Sequence, residues 1–156
     1  MLSLKRMTAA LTLLAAMSIA SGTWAAGPQP ALKWQGYEAG LGQAKKDGRL
    51  VVADFSTSWC GACKKMDKTT FVDAGLVQRL STKFITVKVD GDMQKDLMNR
   101  YGVVAYPTFF ILDGSGAKLA QTTGYMSAGD FGAFLDYAST GACKTMSLTE
   151  FMKKKK

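Results

Sequence analysis

A nearly continuous apolar run at residues 50–55 (Leu-Val-Val-Ala-Asp-Phe) constrains the fold of this chain more than any other feature. Its length and β-branched content are typical of a central strand that is covered on both faces. Residues 84–89 (Phe-Ile-Thr-Val-Lys-Val) form a second run of the same kind. Helical patterns alternate with these runs, so the sequence predicts an α/β fold in which helices flank a sheet.

The remaining elements follow from apolar spacing, capping residues and glycines. The sequence predicts five helices, at residues 37–46, 60–70, 73–80, 92–101 and 131–137, with Gly48 and Gly102 as C-terminal stops, Asp73 and Asp92 as N-caps, and Ser127 and Asp130 at capping-box spacing. Residues 108–112 and 118–123 predict a hairpin around a Gly-rich turn. From the first strand onward the order is βαβαββα, with a mixed sheet.

The first 25 residues have the pattern of a secretory signal peptide. Lys5 and Arg6 precede a 14-residue apolar stretch at residues 7–20, and small residues surround a cleavage point after Ala25. The alternative is an uncleaved membrane anchor, but a spanning helix needs about 20 apolar residues. We therefore expect export with cleavage, into a compartment where two thiols can form a disulfide.

The chain of 156 residues contains no histidine. This excludes Ser-His-Asp and Cys-His catalysis, His-ligated zinc and haem bound by a proximal histidine. The formal net charge is +8, but Lys5, Arg6 and the terminal run 153–156 account for six of these charges and leave about +2. A nucleic-acid partner is therefore not indicated, and the three cysteines become the main reactive candidates.

Cys60 and Cys63 are separated by two residues directly after the first strand. One helical turn brings such a pair within disulfide distance, and the N-terminus of the helix lowers the pKa of the Cys60 thiol. Cys60 would then attack a partner disulfide, and the better shielded Cys63 would resolve the mixed disulfide. The alternatives are an inert structural disulfide or a metal knuckle, but zinc needs four ligands and Cys143 is the only further thiol. We expect a redox pair, with no metal and no cofactor.

Several segments resemble landmarks of the thioredoxin superfamily, in order and at compatible spacings. They are residues 52–55, 59–64, 87–90 and 106–108 and Gly124. The resemblance covers residues 31–137 and implies an α/β thioredoxin fold, a central mixed β-sheet flanked by helices. Together with the N-terminal signal pattern, it divides the chain into a signal peptide at 1–25, an N-terminal linker at 26–36, a thioredoxin-like domain at 37–140 and a basic C-terminal tail at 141–156.

Residues 63–71 are most similar to the C-terminal periplasmic domain of the thiol:disulfide interchange protein (DsbD) family and to its stand-alone exported relatives. Ala62 stands where thioredoxin has proline, and the following helix lacks the proline that kinks it in thioredoxin. Only the terminal module of the DsbD family is matched.

The resemblance implies catalytic functions for Asp54, Asp67 and Lys88 beside the two cysteines. Asp54 matches the buried carboxylate under the active site; burial among apolar residues would raise its pKa and suit it to take a proton from Cys63. Lys88 matches the lysine that approaches this carboxylate, and its alternative is a solvated strand residue. Asp67 lies one helical turn after Cys63, and its alternative is an exposed surface acid.

The resemblance also implies a substrate-binding surface. It comprises Trp59, Gly61, Ala62, Tyr106, Pro107 and Gly124. Pro107 matches the cis-proline that lies against the cysteines, although its own sequence context is equally compatible with a trans peptide at a strand entry.

Two C-terminal features have simpler interpretations. Cys143 is expected to be a free thiol, with an intermolecular or regulatory disulfide as the alternative. Residues 153–156 are expected to form a solvated tail, with attraction to anionic lipid as the alternative. Scattered methionines favour packing over soft metal ligation.

Together these features predict an exported, monomeric, periplasmic thiol:disulfide oxidoreductase that acts on protein dithiols or disulfides, as a reductant recharged by a membrane or periplasmic electron donor. A periplasmic oxidant or isomerase, a non-enzymatic binding module that uses the same groove, and a metal-handling protein are the alternatives.

Overall fold

The computed structural model of the chain describes residues 31–155. The predicted signal peptide, residues 1–25, and the first part of the linker lie outside the described residues. Between residues 31 and 155, none of the helices combines the length and the apolar character needed to cross a membrane.

A four-stranded sheet with the order β2-β1-β3-β4 forms the centre of the domain. β1 pairs in parallel with β2 and antiparallel with β3, and β3 pairs antiparallel with β4. The predicted mixed sheet is confirmed. The elements are α1 (Tyr37–Asp47), β1 (Leu50–Ser56), α2 (Gly61–Thr69), α3 (Ala74–Lys83), β2 (Phe84–Asp90), α4 (Lys95–Tyr101), β3 (Thr108–Leu112), β4 (Lys118–Thr123), α5 (Ala128–Ser139), a short 3-10 helix (Ala142–Lys144) and α6 (Leu148–Lys155).

β1 is a buried central strand because helices cover both faces of the sheet. Alternate side chains point to opposite faces, so Val52 packs with α2, α3 and α5, whereas Ala53 packs with α1 and α4. α1 approaches the sheet so closely that a Cβ at Gly40 would lie 2.1 Å from Val87 Cγ2. This close approach explains a glycine inside a helix, where it otherwise weakens helix formation.

Aromatic side chains fill the core on the α5 side. The rings of Phe71, Phe109 and Phe131 pack edge to face, with centroids 5.0–5.9 Å apart. Phe109 and Phe131 are completely buried. Such pairs add stability beyond the burial of their apolar area.

The predicted caps are confirmed except at the N-terminus of α4. Asp73 Oδ1 accepts a hydrogen bond from the Leu76 backbone N–H (2.9 Å), and Ser127 Oγ accepts one from the Asp130 N–H (3.2 Å). Asp92 does not cap α4, which begins at Lys95. The Asp92 backbone N–H instead donates to the carboxylate of Asp90, two residues earlier. This hydrogen bond closes a turn, and the helix begins only after it.

Residues 141–155 differ from the basic C-terminal tail predicted for residues 141–156, because the 3-10 helix and α6 pack against the domain. Apolar side chains at helical spacing in α6, including Leu148 and Phe151, pack against the core. The rings of Phe151 and Tyr137 lie 5.6 Å apart, and the Tyr137 hydroxyl donates to the Met146 carbonyl (2.8 Å). The packed unit therefore extends beyond residue 140, while residues 153–155 remain exposed.

Candidate active site

Cys60 and Cys63 form a disulfide at the start of α2. Their sulfurs are 2.11 Å apart and their Cα atoms 5.3 Å apart. Cys60 is the N-cap residue of α2, and its Sγ accepts a hydrogen bond from the Cys63 backbone N–H (3.1 Å). A negative charge on Cys60 Sγ would meet this N–H and the positive end of the helix dipole, so the geometry favours a thiolate there on reduction.

The two cysteines face different cavities. Both cysteines are buried, with Cys60 6% and Cys63 5% exposed, so the predicted greater shielding of Cys63 amounts to a small difference in the disulfide form. Cys60 lines a groove of about 480 Å³ together with Trp59, Gly61, Ala62, Val104, Ala105 and Tyr106. Cys63 lines a cleft of about 300 Å³ together with Ser56, Thr57, Ser58, Lys64, Asp67, Lys88 and Asp90. We call these the Cys60 groove and the Cys63 cleft.

The Cys60 groove has exposed apolar walls. Val104 is 97% exposed and Trp59 is 66% exposed. The Trp59 ring packs edge to face on Tyr106 (5.6 Å between centroids), and its indole N–H donates to Asp92 Oδ1 (3.2 Å). These contacts fix the indole beside Cys60 while leaving most of its surface open to a partner.

The loop before β3 supplies the opposite wall of the Cys60 groove. The Tyr106–Pro107 peptide is cis, as the resemblance implies. Gly124, in contrast, lines neither cavity. It has a φ of +93°, and its N–H donates to the Pro107 carbonyl (2.8 Å), so it supports the proline rather than the groove surface.

Asp54 is a buried carboxylate on β1. Its residue is 2% exposed, and Oδ1 has no hydrogen-bond partner among the described residues. Burial raises the pKa of Asp54 to about 7, against the opposing effect of the Lys88 ammonium, which lies 3.5 Å from Oδ2. Asp54 can therefore exchange a proton near neutral pH.

Lys88 connects the buried carboxylate to an exposed one. The parallel pairing of β1 and β2 places Lys88 directly beside Asp54. Its Nζ donates to both carboxylate oxygens of Asp67 on α2, at 3.0 and 3.3 Å. The structure thus brings the three predicted acid–base residues together, and Asp67 and Lys88 line the Cys63 cleft, with Asp67 still 43% exposed.

Two further residues of this cluster were not predicted. Lys88 Nζ lies 5.3 Å from the centroid of the Trp34 ring. The hydroxyl of Thr57, which lines the Cys63 cleft, is buried without a hydrogen-bond partner among the described residues. Local sequence pattern carries no signal for Trp34, because its position depends on a backbone pairing with β2.

The other candidates lie apart from this cluster. Cys143 is a half-buried free thiol whose Sγ lies 4.0 Å from the Ala138 carbonyl oxygen at the end of α5. A larger cavity of about 580 Å³ between α3, α5 and α6 contains none of the predicted site residues. Across residues 31–155, no three Cys, Asp or Glu side chains are grouped as a metal would require.

A family model described as a thioredoxin-like domain matches residues 37–139. Two curated proteins illustrate the similarity. Thioredoxin-1 of Drosophila yakuba is 41% identical over 66 residues, which are 42% of this chain and 59% of that protein. The thiol:disulfide interchange protein DsbD of Colwellia psychrerythraea is 33% identical over 97 residues, which are 58% of this chain and 16% of that protein. The chain thus spans only part of the length of these relatives.

Solved structures share the fold. A thioredoxin from Thermus thermophilus superimposes with a TM-score of 0.62 at 26% identity, covering 74% of this chain and 90% of that one. DsbH oxidoreductase superimposes with a TM-score of 0.65 at 20% identity, covering 71% and 86%. The predicted thioredoxin fold is confirmed.

Proposed function

Because the chain belongs to the thioredoxin-like domain family, we propose that it is a thiol:disulfide oxidoreductase that exchanges disulfides with protein partners. The observation that carries this proposal is the position of the Cys60–Cys63 disulfide. It lies at a helix N-terminus, with an apolar groove beside Cys60 and a buried carboxylate close to the Cys63 cleft.

In the reducing direction the reaction begins with both cysteines reduced. The Cys60 thiolate attacks one sulfur of a partner disulfide, and the other partner sulfur leaves as a thiolate. This forms a mixed disulfide between Cys60 and the partner. Cys63 then loses its proton to Asp54, and its thiolate attacks Cys60 Sγ and releases the second partner thiolate. Two electrons pass from the cysteine pair to the partner, which takes up two protons.

Asp54 suits the proton-transfer step because its pKa of about 7 leaves it partly ionised at neutral pH. An ordinary exposed aspartate would be too weak a base to hold the proton, whereas Asp54 exchanges it near the working pH. Lys88 and Asp67 lie between Asp54 and solvent, and they provide a polar route for the proton after Cys63 has reacted.

The partner segment would lie in the Cys60 groove. Trp59, Val104 and Tyr106 provide apolar contacts, while Gly61 and Ala62 leave room for a main chain to approach the sulfur. Pro107 and Gly124 would shape the backbone edge of this surface. A groove with exposed apolar walls and few charges favours an extended protein segment over a small charged substrate.

The proposal includes export and a reducing function. Export is supported by the pattern of residues 1–25, and the reducing direction by the similarity to the interchange protein DsbD. A membrane or periplasmic donor would then return two electrons to the Cys60–Cys63 disulfide. N-terminal sequencing of protein recovered from a bacterial periplasm should begin at Ala26; retention in the membrane with residues 1–25 attached would contradict cleavage.

The decisive experiment measures the reduction potential of the protein in glutathione buffers and its turnover of a disulfide-containing protein. We expect turnover and a potential more negative than about −180 mV, as found for reducing members of the superfamily. Cys143→Ser should retain turnover, and Cys60→Ser should lose it. A potential near −120 mV would instead indicate an oxidant. No turnover, or a disulfide that is reduced only on unfolding, would refute the enzymatic proposal.

A further inference from the structure

The described chain begins with a short segment that runs along the outer edge of the sheet. We call residues 31–36 the N-terminal strap. The Gln35 N–H donates to the Thr86 carbonyl (2.9 Å), and the Lys88 N–H donates to the Gln35 carbonyl (3.0 Å). The Thr86 hydroxyl also donates to the Lys33 carbonyl (2.7 Å). These bonds attach the strap to β2 beside the catalytic cluster, outside the residues matched by the family model.

The strap places the Trp34 ring between the core residue Phe71 and the ammonium group of Lys88. One contact is edge to face with Phe71, at 5.2 Å between centroids and 83° between ring planes. The other is with Lys88, whose Nζ lies 5.3 Å from the ring centroid. At this distance the negative face of an indole attracts an ammonium group. Because Phe71 belongs to the buried core, its contact holds the Trp34 ring in place beside Lys88.

The Lys88 side chain is long and one-third exposed. A flexible lysine loses conformational freedom when it is confined, and the contact with the Trp34 ring offsets part of that cost in addition to the ion pairs with Asp54 and Asp67. The charged groups around it are Asp54 on β1, Asp67 and Lys64 on α2, and Asp90 on β2. Of these, Lys88 Nζ is within 4.0 Å of Asp54 and Asp67.

We propose that Trp34 is a positioning residue for proton transfer at Cys63, because its ring keeps the Lys88 ammonium between Asp54 and Asp67. This inference rests on the proposed function for its significance, but the contacts of Trp34 with Phe71 and Lys88 are independent of that function. Trp34 lines neither the Cys60 groove nor the Cys63 cleft, so we assign its effect to the contact with Lys88.

The test is a titration of Asp54 in the oxidised full-length chain, followed by carboxyl ¹³C NMR and assigned with Asp54→Asn. Lys88→Met should move the Asp54 midpoint upward by about one pH unit, because a nearby cation is lost. Trp34→Leu should move it upward by roughly half as much, because the ammonium spends time in solvent. Trp34→Phe retains a ring and should stay near the wild-type midpoint.

The double variant Trp34→Leu/Lys88→Met separates positioning from a general structural effect. If Trp34 acts through Lys88, the double variant titrates at the midpoint of Lys88→Met alone. Leu32→Ala is the matched control, since it weakens the packing of the same strap without touching Lys88. It should lower stability and leave the Asp54 midpoint unchanged.

An unchanged midpoint in Trp34→Leu, or fully additive shifts in the double variant, would overturn the inference. If Trp34→Leu does not fold, the Lys88 side-chain protons of the wild-type protein decide: they should show an upfield ring-current shift, and its absence would overturn the inference. The titration needs no partner and no turnover. The positioning inference and the proposed function can therefore fail independently.

Discussion

Neutralising the buried carboxylate with Asp54→Asn should stabilise the oxidised protein, and more strongly at pH 8 than at pH 5. Asp54 is 2% exposed, and burial raises its pKa from 3.8 to about 7. Between these two values the folded chain keeps a proton that the unfolded chain releases. Stability therefore falls as the pH rises through this window, and the loss is complete above the folded-state pKa. Asparagine has the same shape without the charge, and Lys88 keeps its contact with Asp67.

The size of the effect follows from the pKa difference. About 3 pKa units at roughly 1.4 kcal/mol each correspond to about 4 kcal/mol at pH 8. At pH 5 the carboxyl group is ionised in the unfolded chain but still protonated in the folded chain. The same relation then gives a destabilisation of about 2 kcal/mol. The gain in unfolding free energy from Asp54→Asn should therefore grow by about 2 to 3 kcal/mol between pH 5 and pH 8.

Urea unfolding of the oxidised full-length chain at both pH values and equal ionic strength measures this difference. Asp96→Asn, on the exposed first turn of α4, is the matched control, because it removes a carboxylate that is exposed rather than buried. An Asp54→Asn variant whose gain is equal at the two pH values, or larger at pH 5, would refute the argument from desolvation.

Three other substitutions test the site and the packing. Cys63→Ser should accumulate mixed disulfides through Cys60, visible on non-reducing gels and by mass spectrometry; a lack of mixed disulfides through Cys60 would contradict the assigned order of attack. Phe131→Ala removes a fully buried ring and should lower the unfolding free energy by about 3–5 kcal/mol, and a loss below about 1 kcal/mol would contradict its central position in the core. Phe151→Ala should cost roughly 1–2 kcal/mol in urea unfolding because half of a ring leaves the core, whereas Lys154→Ala should cost nothing measurable; equal effects would mean that α6 does not pack.

Elements with strong local signals were predicted to within one residue. The hairpin strands match the structure at both ends, because apolar runs meet a tight Gly-rich turn with Asp113 as its hydrogen-bond acceptor. The start of α4 was misplaced because Asp92 favours a cap and a turn equally, and only the contact with Asp90 decides. The last helix was missed because its apolar face, with Phe151, is meaningful only once the α5 surface is known.

The site residues likewise divide into those that the sequence predicts and those whose positions depend on tertiary contacts. Cys60 and Cys63 follow from their spacing, and the resemblance named Asp54, Asp67 and Lys88. Sequence left open whether Lys88 meets Asp54, which the parallel register between β1 and β2 decides. Trp34 and Val104 were not predicted, because their positions depend on the pairing of the strap and on the loop before the cis-proline rather than on neighbouring residues.

The two cavities beside the disulfide would give the partner segment and the exchanging protons separate access to the cysteine pair. A peptide attached through Cys60 would fill the Cys60 groove and leave the Cys63 cleft open to water. Hydronium and buffer ions could then reach Asp67 and Lys88 while the partner is still bound. Proton exchange would not have to wait for the partner to leave, and a tightly held partner would not trap the centre in one protonation state.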